Sequence, residues 1–137
     1  MKSSLYNNLK FLSVVSVFVL LSACAGIAPK TSSIEDRATV RWEKLLSGDL
    51  AGSYEYLSPG FRSSVTSLDY QRSILLKRVI WTSADYIDSD CDESTCKVKI
   101  DLGFKVAGAL PGVKAFNGHQ DITETWVMVD GTWYLVP

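Results

Sequence analysis

Histidine occurs once in the 137 residues, at His119. A single imidazole with no second base near it gives no support to a Ser-His-Asp arrangement. Together with Cys91 and Cys96 it makes three ligands, short of the four that a structural zinc site takes. Phosphate loop, dinucleotide fingerprint and zinc-type spacing are all missing, so no cofactor and no metal are expected. Basic excess is missing too: 14 lysines and arginines face 15 acids. That balance excludes the strongly basic surface that phosphate backbones attract, and with it nucleic acid as a partner. The longest apolar run is also too short to span a bilayer, which takes about 20 apolar residues.

What the chain does have begins at its N-terminus. Residues 1–10 carry Lys2 and Lys10 and no acid, and Phe11 to Leu21 is apolar apart from Ser13 and Ser16. Small residues follow, completing the tripartite layout of a secretory signal. The tetrad Leu21-Ser22-Ala23-Cys24 resembles the lipobox of bacterial lipoproteins. That resemblance implies cleavage before Cys24 and a diacylglycerol thioether on its sulfur, usually with a further chain on its amine; two or more chains anchor stably. A plain signal peptide cut after Ala23 is the alternative.

On this reading residues 1–23 are a signal peptide, 24–32 the lipidated cysteine and a tether, and 33–137 the folded domain. Cleavage leaves twelve cations against fifteen acids, a net charge of −3. Membrane contact is therefore expected through the lipid at Cys24, not through a basic patch. Ala25 stands where an aspartate commonly retains lipoproteins at the inner membrane. In a two-membrane organism the expected place is the cell envelope, at the outer membrane and facing the periplasm.

The domain opens with helical periodicity. Ser32 and Glu35 have capping-box spacing, Ile34, Ala38, Trp42, Leu45 and Leu46 share one face, and Gly48 closes the helix. Asp49 caps a second helix carrying Leu50, Tyr54 and Leu57, which Ser58-Pro59-Gly60 breaks. A third begins near Ser67 with Tyr70 and Ile74 inward. From Val79 the pattern alternates. Val98, Ile100, Leu102, Phe104 and Val106 are apolar between lysines and an aspartate, which predicts a strand with one buried face, and Ile80 to Ser89 is its expected partner. Lys97, Lys99 and Lys105 line the outward face, as edge-protecting lysines do. Ala107 to His119, with Gly108, Pro111, Gly112 and Gly118, reads as a mobile loop.

Asp130-Gly131 suits a two-residue type I′ turn. Pairing outward from it sets Met128 opposite Trp133 and Trp126 opposite Leu135, all on the core face. Val127, Val129 and Tyr134 then lie on the other face, apolar enough to suggest an interface. With Cys24 lipidated, Cys91 and Cys96 are left as an even pair in an oxidising compartment. A disulfide there would close the loop Asp92-Glu93-Ser94-Thr95 and contribute about 2 kcal/mol. Catalytic thiol exchange is the sharper alternative, against which the spacing is not C-x-x-C.

The stretches Arg41-Trp42-Glu43-Lys44-Leu45-Leu46-Ser47-Gly48-Asp49, Tyr54-Glu55-Tyr56-Leu57-Ser58-Pro59, and Glu124-Thr125-Trp126 through Tyr134 resemble the nuclear transport factor 2-like family, shared with ketosteroid isomerases. The resemblance implies an α+β fold in which N-terminal helices pack on a curved antiparallel sheet as a cone, with a pocket between them. Trp42, Tyr54, Phe104, Trp126 and Trp133 are its expected core or pocket residues. No residue of the family's isomerase site is matched here, and the fold hosts many functions.

Two carboxylates remain as catalytic candidates. Glu124 shares the face of Trp126 and Met128, where burial would make it a candidate acid or base; the alternative is a rim position satisfied by water or a backbone amide. Asp85 would face inward opposite Leu102 if no bulge interrupts the registry from Cys91. Tyr54, Tyr56 and Tyr70 could line a pocket, though aromatics at helical spacing are more often core with a polar tip. The leading expectation is an envelope lipoprotein whose domain binds a protein or a small apolar ligand, with a homodimer or another envelope protein as partner. The rival is a small cofactor-independent lyase, isomerase or hydrolase using Glu124 or Asp85.

Overall fold

The computed structural model describes residues 32–110 and 112–137. The signal, the lipobox at Cys24 and all of the tether but Ser32 lie outside the described residues. Thr31–Pro137 forms one compact unit.

Helix α1 (Ile34–Ser47) begins at a capping box, one residue later than expected. Ser33 Oγ accepts from the Asp36 N–H at 3.0 Å, and the Asp36 carboxylate accepts from the Ser33 N–H at 3.3 Å. Gly48 ends the helix at φ 83°, a left-handed conformation that favours glycine. Ala38, Arg41, Trp42 and Leu45, at i, i+3, i+4 and i+7, form its buried stripe. Helix α2 (Leu50–Tyr54) is capped by Asp49, whose carboxylate accepts from the Gly52 N–H.

Ser58-Pro59-Gly60, expected only to break a helix, starts another. Pro59 occupies the first turn of α3 (Pro59–Ser64) and Ser58 caps it, since proline's missing N–H costs nothing there. Helix α4 (Ser67–Leu75) buries Tyr70.

The remainder is one antiparallel sheet of four strands in the order β1 (Val79–Cys91), β2 (Thr95–Leu110), β3 (Val113–Val129), β4 (Thr132–Val136). Asp130 and Gly131 both have positive φ, at 49° and 76°. The turn they form sets Met128 opposite Trp133, Val127 opposite Tyr134 and Trp126 opposite Leu135, as the turn chemistry requires. The segment after α2 covers the outer edge of β4: Ser58 N–H donates to the Leu135 carbonyl and Leu135 N–H to the Tyr56 carbonyl, both at 2.8 Å. Leu57 and Leu135 are thereby paired in parallel.

Three expectations need correction. Ala107–His119 is not a loop: Ala107 pairs with Ala115, Val106 with Phe116, Lys105 with Asn117 and Gly103 with His119, so β2 and β3 run on as one long hairpin. Backbone pairing holds this arm despite its glycines, and Gly118 fits because the Phe104 ring lies across it, 2.9 Å from where a Cβ would stand.

Asp85 does not face inward. The bulge at Tyr86/Asp88 shifts the register by one, so Asp85 lies opposite Asp101 on the outer face, exposed, while Ala84 takes the place opposite Leu102.

The cone expected from the nuclear transport factor 2-like resemblance is not the architecture found. Among the described residues a simple four-strand meander carries one helix of 14 residues and three of 5, 6 and 9 residues, and β2 and β3 stay paired out to Leu110 and Val113.

The core lies between α1, α2, α4 and the inner sheet face. Trp126, Leu57, Ile100, Val98, Cys96 and Ser53 are its largest fully buried side chains. Trp42 and Tyr54 are buried with them, while Trp133 and Phe104 are half-buried. Trp42 meets Trp81 edge to face at 5.3 Å, and Phe104 packs on Phe116 at 6.2 Å, out along the arm. At the opposite end of β1, Cys91 lies directly opposite Cys96 and is joined to it as a disulfide, with Cα atoms 4.0 Å apart.

Candidate functional site

Helix periodicity places Arg41 inside the apolar stripe of α1, between Ala38 and Leu45. A guanidinium there has left water and needs an anion. The alternation of β3 turns Glu124 to the same side, next to Trp126 and opposite Val98. Arg41 Nη1 donates to Glu124 Oε1 at 2.8 Å, and Trp42 Nε1 donates to the same oxygen at 3.1 Å. Trp126 Nε1 donates to Oε2 at 3.1 Å. Arg41 and Glu124 are only 7% and 8% exposed, so this is a buried ion pair fastened by two indoles. It joins the first helix to the third strand across 83 residues of sequence.

Both oxygens of Glu124 are engaged, Oε1 by two donors and Oε2 by one, which leaves one acceptor site on Oε2. The pair borders a groove of about 480 Å³ lined by Arg41, Thr123, Glu124, Thr125, Val136 and Pro137. Among the described residues Arg41 Nε has no hydrogen-bond partner.

One turn earlier, Arg37 Nε donates to the Trp133 carbonyl at 3.0 Å, and its guanidinium stacks 4.2 Å from the Tyr56 ring centre. Arg37 and Arg62 lie 5.4 and 5.8 Å from the Tyr134 ring. Of the suggested interface, Val127, Val129 and Tyr134 are therefore half-buried, and Tyr134 is already held by two cations.

The tyrosines of the helices are core residues with satisfied tips. Tyr54 Oη donates to the Val65 carbonyl at 2.7 Å, and Tyr70 Oη is 3.1 Å from Ser53 Oγ. His119 sits in β3, not in a loop, and its Nδ1 is 3.2 Å from Asp101 on the exposed outer face. Asp85, Asp101 and Asp121 share one cross-strand row there. Among the described residues no three His, Cys, Asp or Glu side chains are grouped to hold a metal ion.

Among the described residues Lys44, Asp49 and Asp92 are shifted from their ordinary values. Lys44 is raised and Asp49 lowered, each chiefly by their mutual hydrogen bond at 2.8 Å across the α1–α2 junction. Asp92 is lowered by the Ser94 and Thr95 N–H groups in the turn that the disulfide closes.

Sequence reasoning singled out Glu124 but missed Arg41, its partner. The signal was present: a lone arginine at i+3 from Ala38 and i+4 before Leu45 breaks an apolar stripe and demands a buried acid.

No protein-family model matches the chain, and no curated protein matches it. Among solved structures the chain is similar to the solution structure of a SEC-C motif containing protein from Rhodopseudomonas palustris. Sequence identity is 14%, 78% of this chain and 77% of that one are covered, and the TM-score is 0.60. A likeness at that identity shows the fold alone. It sets the four-stranded sheet beside a SEC-C motif protein, and so overturns the assignment to a nuclear transport factor 2-like cone.

Proposed function

We propose that the chain is a membrane-anchored envelope lipoprotein whose folded unit binds a protein or a small ligand and does not catalyse. The observation that carries the non-catalytic part is the engagement of Glu124. The inward-facing carboxylate is tied to Arg41, Trp42 and Trp126, and the other candidate, Asp85, lies on the opposite sheet face. A carboxylate held by a guanidinium and two indoles serves to fasten α1 to the sheet.

The anchoring part rests on the sequence, on the lipobox-like Leu21-Ser22-Ala23-Cys24 after a charged and then apolar N-terminus. Among the described residues no helix is long and apolar enough to cross a membrane. The groove beside Arg41 and Glu124 is the ligand-sized feature nearest the buried pair.

The test is expression of the full chain in a bacterial envelope, with fractionation and mass spectrometry of the mature N-terminus. The expected result is a diacylglycerol-modified Cys24 in the membrane fraction, and release of the Cys24→Ser protein from membranes with its thermal melt unchanged. Membrane attachment that survives Cys24→Ser in high salt, or an unmodified mature N-terminus at another residue, would refute the anchor.

A further inference from the structure

The two ends of the sheet differ in chemistry. At the end away from the disulfide, the last turn of α4, the start of β1 and the outer part of the β2–β3 arm come together, because Val79 pairs with Val106 and Val106 with Phe116. Leu75 and Leu76 are 73% and 83% exposed, Ile80 58% and Phe116 52%. Large apolar side chains this bare make an unpartnered apolar end to the sheet, with Ile80 on the face of Lys105 and Phe116 on the face of Phe104. It continues into a groove of about 400 Å³ lined by Leu45, Leu50, Ile74, Leu75, Ile80 and Trp81.

The charge at this end is of one sign. Residues 70–81 and 102–118 contain Arg72, Lys77, Arg78, Lys105 and Lys114 and not one Asp or Glu. Arg72 is paired with Asp69 one turn back. Lys77, Arg78, Lys105 and Lys114 have no ion-pair partner among the described residues. Asp49, which stands in sequence between the groove-lining Gly48 and Leu50, is committed to Lys44. Lys77, Arg78, Lys105 and Lys114 thus lie around these bare apolar residues, while Arg37 and Lys97, which also lack an ion-pair partner among the described residues, bond to the Trp133 carbonyl and the Thr125 hydroxyl elsewhere.

We propose that this end is a seat for an anionic lipid surface, with Leu75, Leu76, Ile80 and Phe116 entering the headgroup boundary and Lys77, Arg78, Lys105 and Lys114 meeting lipid phosphates. The layout Leu75-Leu76-Lys77-Arg78-Val79-Ile80 is what an interfacial segment needs, apolar pairs to insert with cations beside them to stay at the phosphate level. A second copy of the chain is disfavoured as occupant, since joining two such ends would bring like charges together. The seat does not require the lipid at Cys24, so it stands or falls separately from the anchor.

The experiment uses Thr31–Pro137, which is a compact unit by itself and carries no acyl chain. It is pelleted with vesicles of phosphatidylethanolamine and phosphatidylglycerol in about a 3:1 ratio, and with vesicles of phosphatidylcholine alone. Binding should be at least about tenfold stronger to the anionic vesicles and should weaken with salt. The double variant Lys77→Glu/Arg78→Glu should lose about tenfold or more. Leu75→Ser/Leu76→Ser should also weaken binding, and its melting temperature should match the wild type because neither side chain is buried. Equal binding to both vesicle types, no binding to either, or loss unaffected by these positions would overturn the proposal. So would a dimer in sedimentation velocity that Leu76→Ser dissociates, which would assign the patch to a second copy.

Discussion

Glu124→Gln tests the buried pair most directly. The change keeps the shape of the side chain and removes its charge and one of its two acceptor oxygens. Three donors converge on Glu124: Arg41 Nη1, Trp42 Nε1 and Trp126 Nε1, at 2.8, 3.1 and 3.1 Å. If the glutamine carbonyl keeps Arg41 and Trp42, its NH2 group points at the Trp126 indole N–H, and two donors face each other. An unsatisfied buried donor costs about 1–3 kcal/mol. Leaving the Arg41 charge without its counter-ion raises the total to about 3–5 kcal/mol.

For a unit of this size that is a fall in melting temperature of about 12–20 °C. Circular dichroism melts and urea titration both report it, with near-ultraviolet signals from Trp42 and Trp126 as a local probe. The double variant Arg41→Met/Glu124→Leu should recover most of the loss, because removing both charges leaves neither unpaired. A Glu124→Gln melt within about 2 °C of wild type, or a double variant as unstable as the two single losses added, would show that the ion pair does not hold α1 to the sheet.

Further outcomes follow from the same packing. Leu57 is fully buried against Leu135, and Leu57→Ala should cost about 2–5 kcal/mol by urea unfolding; a loss under about 1 kcal/mol would show that the β4 edge is not sealed there. Reducing Cys91–Cys96 should lower stability by about 2 kcal/mol and leave the far-ultraviolet spectrum unchanged, and titration of Thr31–Pro137 before reduction should find no free thiol. Asp92 titrates lower in the folded protein than its ordinary 3.8 because two backbone N–H groups donate to it. Its contribution is therefore present above about pH 4 and lost as pH falls through the lower folded value. Urea midpoints should decline on acidification below that point and decline less steeply in Asp92→Asn; equal slopes in the two proteins would contradict the assignment.

Much of the local structure was legible because it rests on short-range chemistry. Ala38, Trp42 and Leu45 of the α1 stripe, its Gly48 terminus, the Asp49 cap and the Asp130-Gly131 turn each depend on spacings within about two helical turns, whereas Leu46, expected on the same stripe, is exposed. The failures have equally specific causes. Ala107–His119 reads as a loop because glycine and proline are counted locally, whereas its strands are held by pairing between Val106 and Phe116 and their neighbours. Unbroken registry from Cys91 turns Asp85 inward, and the bulge at Tyr86/Asp88 that reverses it leaves no mark in an alternating pattern. Arg41 and Glu124 meet over 83 residues, a distance no window of periodicity covers. The cone was inferred from a helix-then-hairpin order that several folds share.

The long β2–β3 arm has one more consequence, which concerns height. From Phe116 to Glu124 the strand advances eight residues, about 26 Å along its length. With the tip of the arm resting on lipid, the Arg41–Glu124 groove would stand off the bilayer by several Debye lengths, each about 8 Å in physiological salt. The surface potential of the membrane would not be felt there. A partner about the size of a small domain, roughly 30 Å across, could reach the groove without touching lipid. On the proposed seating the sheet would serve as a spacer that lets one end adhere and the other recognise, each under its own electrostatic conditions.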